Sequence, residues 1–222
     1  MVTADPADEL KQYHAKYWDD LLSHKFILEM AADSLPIEKF AFYLRQDYLF
    51  LKEYCTFLLI ARQKSTDQKL KIWFDRLHRS TIDSEMQMQK ELLISLRGIS
   101  TINNNSNATV ASATLNYISF LRQVSLSAKN LEAIVSAMAP CPWSYLEIAQ
   151  KLCKGEIRND VYFKWVQFYS SNESRQQVKE LKSILSGLYD RAEDITKMTM
   201  KQHFGAACKY EYDFWEAAYN AE

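Results

Sequence analysis

The chain has 222 residues, enough for one large domain or two small ones, and its hydrophobic content of 48% can supply a sizeable core. A formal net charge of −1 gives no electrostatic basis for binding nucleic acid, and no apolar run is long enough to span a bilayer. With only 4 glycines and 4 prolines, the composition lacks the turn residues that a β-rich protein needs.

The cysteines and the N-terminal segment indicate a cytoplasmic protein. The four cysteines, at positions 55, 141, 153 and 208, form no C-x-x-C pair and have no zinc-site spacing. In a chain of this length they are typical of reduced thiols in the cytosol. The segment MVTADPADEL is acidic and polar, unlike a signal peptide.

Apolar periodicity and cap residues predict helices along the whole chain and no strand. The first helix starts with Asp5 as N-cap and Pro6 as first residue, and should extend to about residue 22, with Tyr13 and Tyr17 on its apolar face. Further helices are predicted over residues 26–32, 36–62, 66–96, 141–155, 161–170, 174–186 and 190–221, with one around position 117 and one from position 130.

Loop and break signals lie between these helices. Ser65 or Thr66 should cap the fourth helix, Gly187 should separate the last two, and the last helix has a potential kink at Gly205. Residues 98–108, GISTINNNSNA, are predicted to form a polar, flexible loop inside one domain. The resulting fold class is a single all-α bundle covering residues 1–222.

The helix over residues 36–62 carries one acidic residue in an apolar stripe. The stripe consists of Phe40, Tyr43, Leu44, Asp47, Phe50, Leu51, Tyr54 and Leu58. The opposite, polar face of the helix consists of Lys39, Arg45, Gln46, Lys52 and Glu53. A buried carboxyl group is costly unless it has a partner. Asp47 is therefore either bonded within the core, for example to a tyrosine, or part of a site. In the next helix, His78 and Glu85 lie near the edge of the stripe and are expected to be satisfied surface or boundary residues.

Cys141 lies between two prolines that interrupt a helix. Pro140 and Pro142 cannot donate backbone hydrogen bonds, so the helix from residue 130 should kink or restart here. A restart would place Cys141 at a helix N-terminus, where unpaired amides and the dipole favour a thiolate. The alternative is a buried cysteine that fills the kink.

Glu211 interrupts the apolar stripe of the last helix as Asp47 does in its own helix. If these two residues and Cys141 face one another, they form an aromatic cavity with one thiol and two carboxyl groups. Such a set can perform covalent catalysis with proton transfer, and an aromatic box suits a flat heterocycle. Spacing alone does not show that the three meet, and each could be satisfied separately in the core. No Glu-x-x-His motif, phosphate loop or dinucleotide motif occurs, so we expect no metal and no cofactor.

Three blocks together resemble the TenA/thiaminase II family over essentially the full chain. They are LPIEKFAFYLRQDYLFL, APCPWSYLEIAQKL and YEYDFWEAAY, in the family's order and at fitting separations. The resemblance implies a haem-oxygenase-like helical bundle without haem, assembled as a homotetramer (a dimer of dimers). It also implies an enzyme of thiamin salvage that hydrolyses 4-amino-5-aminomethyl-2-methylpyrimidine to 4-amino-5-hydroxymethyl-2-methylpyrimidine and ammonia. Many members also cleave thiamin.

The resemblance implies a role for each residue that matches the family's motifs. Cys141 matches the nucleophile of the cysteine-containing branch, Glu211 the glutamate that binds the ring edge and shuttles protons, and Asp47 the aspartate that holds a ring nitrogen and the exocyclic amine. The tyrosines that line the substrate pocket are matched by Tyr145, Tyr117 and Tyr169. Phe50 stands where well-known members have tyrosine, which keeps a stacking face and loses a hydroxyl group.

Two other functions stay open for a chain of this fold. A non-catalytic pyrimidine-binding or regulatory protein would bind without turnover and would tolerate Cys141→Ser. A di-metal oxidase would hold iron or manganese, for which this sequence offers poor ligands.

Overall fold

The computed structural model describes residues 5–96 and 109–221, which form helices and no strand. The helices are α1 (Pro6–Tyr13), α2 (Ala15–Leu22), α3 (Lys25–Ala31), α4 (Ile37–Lys64), α5 (Gln68–Ser80), a π-helical turn (Thr81–Glu85), α6 (Met86–Leu96), α7 (Ser112–Ser127), α8 (Leu131–Met138), α9 (Pro140–Leu152), α10 (Asp160–Tyr169), α11 (Asn172–Arg191) and α12 (Asp194–Asn220). The all-α prediction is confirmed for this part of the chain, and the predicted loop over residues 98–108 lies outside the described residues. None of the described helices is both long enough and apolar enough to cross a bilayer.

The two longest helices organise the packing. Helix α12 packs against α2, α4, α7, α8 and α9, while α4 packs against α5, α6 and α7. The core has two hydrophobic clusters, which we name after central members: the Phe204 cluster, with Trp18 and Phe74, and the Trp165 cluster, with Phe26 and Trp215. Both are rich in aromatic rings, since burial of large rings is a main source of stability in a helical bundle.

The predicted stripe of α4 is confirmed, because all eight of its members are buried. The opposite face differs from the prediction at Gln46, which is also buried. The Gln46 amide donates to the Thr109 carbonyl over 3.0 Å and accepts hydrogen bonds from the Ala111 amide at 2.9 Å and the Thr114 hydroxyl at 3.0 Å. These bonds attach the start of α7 to α4, so this polar side chain is buried with its hydrogen bonds made.

The prediction of one continuous helix up to residue 22 is wrong. The chain leaves the helical conformation at His14, with φ −111° and ψ 26°, and Tyr13 and Tyr17 are 65% and 45% exposed. The reason is a distant contact, because the His14 ring makes a 2.7 Å hydrogen bond with the Lys201 carbonyl oxygen of α12. A Cβ atom at Gly205 would overlap that ring, so Gly205 provides space for His14, and α12 continues through it without interruption.

Two other predicted helix ends also differ. The N-cap of α5 is Asp67, whose carboxylate accepts from the Lys69 amide at 2.7 Å, and neither Ser65 nor Thr66 caps it. Helix α11 continues through Gly187 to Arg191. A glycine in a helix interior costs only about 1 kcal/mol, and the buried Leu185 and Leu188 on either side of it hold α11 in place.

Candidate active site

The predicted interruption of the helix before Cys141 is confirmed, but its expected effect on the thiol is not. Helices α8 and α9 meet at Ala139, and Pro140 is the first residue of α9. Ala139 keeps right-handed helical angles of φ −63° and ψ −39°, so the chain passes from one helix to the next without opening. Both flanking prolines lack an N–H group, which leaves few free amides to stabilise a thiolate. Burial, followed by the charges of Glu211, Glu85 and Asp47, raises the pKa of Cys141 well above its usual range. The resting thiol is therefore protonated.

Glu211 on α12 is the nearest acid–base group to this thiol. Its side chain is 1% exposed, and one carboxyl oxygen accepts a 2.8 Å hydrogen bond from the Tyr117 hydroxyl of α7. The Cys141 thiol is close enough to the same carboxyl group to stabilise its charged form. Burial raises the pKa of Glu211 from 4.5 to about 7, while the bonds from Tyr117 and Cys141 oppose that rise. Near neutral pH the group is therefore available in both protonation states.

Asp47 on α4 is buried and hydrogen-bonded within the core, to a tyrosine among others, as one of the two expectations for it requires. Its carboxyl oxygen accepts from the Tyr43 hydroxyl at 3.2 Å and from the Gln89 amide of α6. Tyr43 is itself fixed by a 2.9 Å hydrogen bond from the Trp165 indole of α10. Burial, followed by repulsion from neighbouring carboxyl groups, raises the pKa of Asp47 well above its ordinary value. A buried charge without a cationic partner is unfavourable, so this environment favours the neutral carboxylic acid form of Asp47.

Glu85 is a half-buried, hydrogen-bonded boundary residue as expected, but it also lines a cavity beside Cys141, which the sequence pattern did not predict. It ends the π-helical turn between α5 and α6, and its carboxyl oxygen accepts a 2.8 Å hydrogen bond from the Tyr169 hydroxyl of α10. Burial raises the pKa of Glu85 to about 7. A π-helical turn inserts one residue into the helical register, which changes the face on which the following side chains lie. Periodicity counted from α5 could not anticipate this. The spacing of four residues between Glu85 and Gln89, both of which contact the site, was the available signal.

The four predicted aromatic residues surround these polar groups. The Tyr145 and Tyr169 rings meet edge to face with centroids 4.9 Å apart, and the Phe50 and Tyr117 rings lie 4.8 Å apart. All four are buried. Aromatic pairs at these separations are rigid and favourable. The structure thus brings the seven predicted site residues into one region of the fold.

A cavity of about 660 Å³, part of it open to solvent, leads to Cys141. Its inner wall is formed by Cys141, Glu85, Tyr54, Tyr145 and Tyr169, and its mouth by Ser80, Ser171, Glu173, Ser174 and Gln177. Asp47 and Glu211 are not among the lining residues, but Glu211 is a neighbour of Cys141 and Asp47 is bonded to Gln89. No lysine or arginine is among its described lining residues, and a cavity of this size suits a small, flat molecule. Within the described ranges, no group of three or more His, Cys, Asp or Glu residues is arranged to hold a metal ion.

The family model for TENA/THI-4/PQQC proteins matches residues 11–221. The aminopyrimidine aminohydrolase of Helicobacter pylori is 28% identical over 214 residues, which cover 96% of this chain and 97% of that protein. The aminopyrimidine aminohydrolase of Bacillus subtilis (strain 168) is 26% identical over 216 residues, covering 97% and 90% of the two chains.

Solved structures show the same fold. A TenA homologue from P. horikoshii OT3 superposes with a TM-score of 0.86 at 23% identity, covering 99% of this chain and all (100%) of that one. A Shewanella denitrificans domain described as having a heme oxygenase-like fold superposes with a TM-score of 0.75 at 13% identity, covering 96% and 92%. The expected haem-oxygenase-like fold is therefore confirmed.

Proposed function

The chain belongs to the TENA/THI-4/PQQC family, and from this premise we propose that it is an aminopyrimidine aminohydrolase of the thiaminase II type. The reaction is hydrolysis of 4-amino-5-aminomethyl-2-methylpyrimidine to 4-amino-5-hydroxymethyl-2-methylpyrimidine and ammonia, a step of thiamin salvage. Relatives that match nearly the full chain carry the name of this activity. The observation that supports it most directly is the Cys141 thiol next to the titratable carboxyl group of Glu211, beside an aromatic cavity.

In this proposal Cys141 is the nucleophile and Glu211 its base. The thiol is protonated at rest, so it needs a base within hydrogen-bond reach, and Glu211 is that partner. As the sulfur adds to a ring carbon, the thiol proton passes to Glu211, which then donates it to a ring nitrogen. The Tyr117 hydroxyl stabilises the carboxylate while it holds no proton.

Asp47 recognises the edge of the ring. A neutral carboxyl group has one donor and one acceptor, and this pair complements an exocyclic amine beside a ring nitrogen. The hydrogen bonds from Tyr43 and Gln89 orient the group for this contact. A negatively charged aspartate would offer only acceptors, so the raised pKa of Asp47 contributes to selectivity.

The aromatic side chains hold the ring between their faces. Tyr117 and Phe50 supply one surface, and Tyr145 and Tyr169 another. Phe50 stacks without the hydroxyl group that a tyrosine would add.

The remaining steps follow from the covalent adduct. Addition of the thiol makes the ring electron-rich, so the ring can expel the amine from the exocyclic methylene group. A water molecule then adds to that carbon, and the thiolate leaves with its bonding electrons, while the ring nitrogen returns its proton through Glu211 to the sulfur. The sum is replacement of the amine by a hydroxyl group, with one water consumed and one ammonia released.

We further propose that the enzyme works in the cytoplasm, without a cofactor, as a homotetramer built from two dimers. Exposed apolar side chains around the start of the chain and the start of α12 support an interface there, among them Tyr13, Tyr17, Ile195 and Met198. Light scattering coupled to size-exclusion chromatography measures this assembly directly.

The test of the proposed function is ammonia release from the aminomethyl pyrimidine by the wild type and by Cys141→Ser. We expect turnover by the wild type and a loss of at least about 10³-fold in the variant, since covalent and acid–base catalysis are lost together. The matched control is Cys153→Ser, because Cys153 is exposed and its thiol donates to the Ser170 hydroxyl, away from the cavity lining.

The outcomes separate the alternatives. Equal turnover by wild type and Cys141→Ser would remove the nucleophile role and leave the carboxyl groups to activate water. Saturable binding without turnover in either protein would favour a non-catalytic pyrimidine-binding protein. Bound iron or manganese, detected by elemental analysis, would favour a di-metal oxidase.

A further inference from the structure

Glu85 is a third acid in the site, half-buried in the cavity wall, and the mechanism described above gives it no role. The π-helical turn Thr81–Glu85 directs it into the cavity, where Tyr169 donates to it over 2.8 Å. π-Helical turns inside α-helices are frequent at functional sites, since they change the direction of one side chain. A carboxyl group held in this way, with no cation among the lining residues, indicates a cationic or proton-accepting ligand group.

The position of Glu85 relative to the other acids defines which part of a ligand it meets. Glu85 and Cys141 both line the cavity, whereas Asp47 and Glu211 are not among its lining residues. Glu85 also interacts electrostatically with both Cys141 and Asp47. In the proposed substrate the 5-aminomethyl group is on the ring carbon next to the one that bears the exocyclic amine. A ring whose amine edge faces Asp47 therefore places its aminomethyl group on the side of Glu85, which is close enough to Asp47 to interact with it.

We propose that Glu85 is the general acid that donates a proton to the departing amine. This inference rests on the proposed function. The breaking C–N bond gives its electron pair to nitrogen, the Glu85 carboxyl group supplies the proton, and ammonia leaves through the mouth. When water adds to the exocyclic carbon, one of its protons returns to the Glu85 carboxylate. Glu85 thus regains the proton that it gave to the amine, and no further reactant is needed.

The surroundings of Glu85 suit this exchange. Burial raises the pKa of Glu85 to about 7, so the carboxyl group can give and regain a proton near neutral pH. The hydrogen bond from Tyr169 stabilises its carboxylate after the proton has left. Gln89 lies close to the same tyrosine hydroxyl, at 3.5 Å, and bonds Asp47, so hydrogen bonds connect the acid at the ring edge with the acid at the leaving group.

The decisive experiment compares two leaving groups in the wild type and in Glu85→Gln. The first substrate carries the 5-aminomethyl group, whose nitrogen needs a proton to leave as ammonia. The second carries a 5-trimethylammoniomethyl group, which leaves as neutral trimethylamine without any proton. We expect Glu85→Gln to lower kcat/KM for the first substrate by roughly 10² to 10⁴-fold and for the second by less than about 10-fold. The matched control is Glu91→Gln, an exposed acid on α6 outside the cavity.

An equal loss for both substrates would overturn the proposal, because it would show a general electrostatic or structural role. Failure of the wild type to cleave either compound would instead refute the proposed function. If the wild type cleaves neither compound, or does not cleave the quaternary one, a binding experiment still tests Glu85. Calorimetric titration then compares the affinities of each protein for the 5-aminomethyl and the 5-methyl pyrimidine. We expect the wild type to prefer the amine by about 10-fold and Glu85→Gln to lose that preference. Equal preference in both proteins would overturn the placement of Glu85 beside the amine.

Discussion

Replacement of Glu211 by glutamine should stabilise the folded protein at alkaline pH while it removes catalysis. Glu211 is 1% exposed and has no cationic partner among the described residues. Above pH 7 the folded protein must hold a buried charge, and glutamine removes that charge. The amide oxygen of glutamine can still accept the Tyr117 hydrogen bond, so the change of charge is the main perturbation.

The magnitude follows from the pKa of Glu211, which rises from 4.5 to about 7 on folding. A rise of about 2.5 units at about 1.4 kcal/mol per unit corresponds to roughly 3 kcal/mol. Because the folded state keeps this proton to a higher pH than the unfolded chain does, the stabilising contribution of the protonated group is complete below pH 4.5. It is lost as the pH rises to about 7. The glutamine variant should therefore match the wild type at low pH and exceed it at high pH.

Urea unfolding at pH 5 and at pH 8.5 measures this difference. We expect Glu211→Gln to be more stable than the wild type by roughly 3 kcal/mol at pH 8.5 and to lie within about 1 kcal/mol of it at pH 5. Glu156→Gln is the matched control, because Glu156 is exposed in the connection between α9 and α10. A variant that is less stable than the wild type by the same amount at both pH values would refute the reasoning.

Two further substitutions test other contacts. Tyr117→Phe removes a hydrogen bond that lowers the pKa of Glu211. The limb of the pH–rate profile that reports Glu211 should therefore move to higher pH, and kcat/KM should fall roughly 10-fold. An unchanged profile would show that Tyr117 does not influence the ionisation of Glu211. Gly205→Ala introduces a methyl group into the His14 ring and should destabilise the fold by about 1 to 3 kcal/mol in thermal denaturation. The double variant with His14→Ala should recover part of that loss, and an unchanged melting temperature in Gly205→Ala would contradict the contact.

Features that depend on neighbouring residues could be predicted from the sequence. The stripe of α4 follows from helical periodicity, and the interruption before Pro140 follows from its missing N–H group. The N-cap at Asp5 is confirmed by its hydrogen bond from the Ala7 amide at 2.9 Å.

Features that depend on distant contacts could not be predicted in this way. The end of α1 at His14 is set by α12, and the protonated state of Cys141 is set by its burial together with acids from three other parts of the chain. Local reasoning at the helix N-terminus gave the opposite expectation for the thiol, because it could not include those carboxyl groups. Glu85 was missed because the π-helical turn changes the register in which periodicity is counted.

The position of Cys141 between the two core clusters has a consequence for the lifetime of the protein in the cell. Cys141 packs against both the Phe204 and the Trp165 clusters, and the cavity wall takes Tyr54 from the first and Tyr145 from the second. A bound ligand therefore touches both halves of the core and joins them. At about 100 times its dissociation constant, a ligand adds roughly 2.7 kcal/mol to stability. Protease degradation follows the population of transiently unfolded molecules. A cell rich in the ligand would therefore retain more of this protein. Supply of the ligand would regulate the protein's abundance without any change in its synthesis.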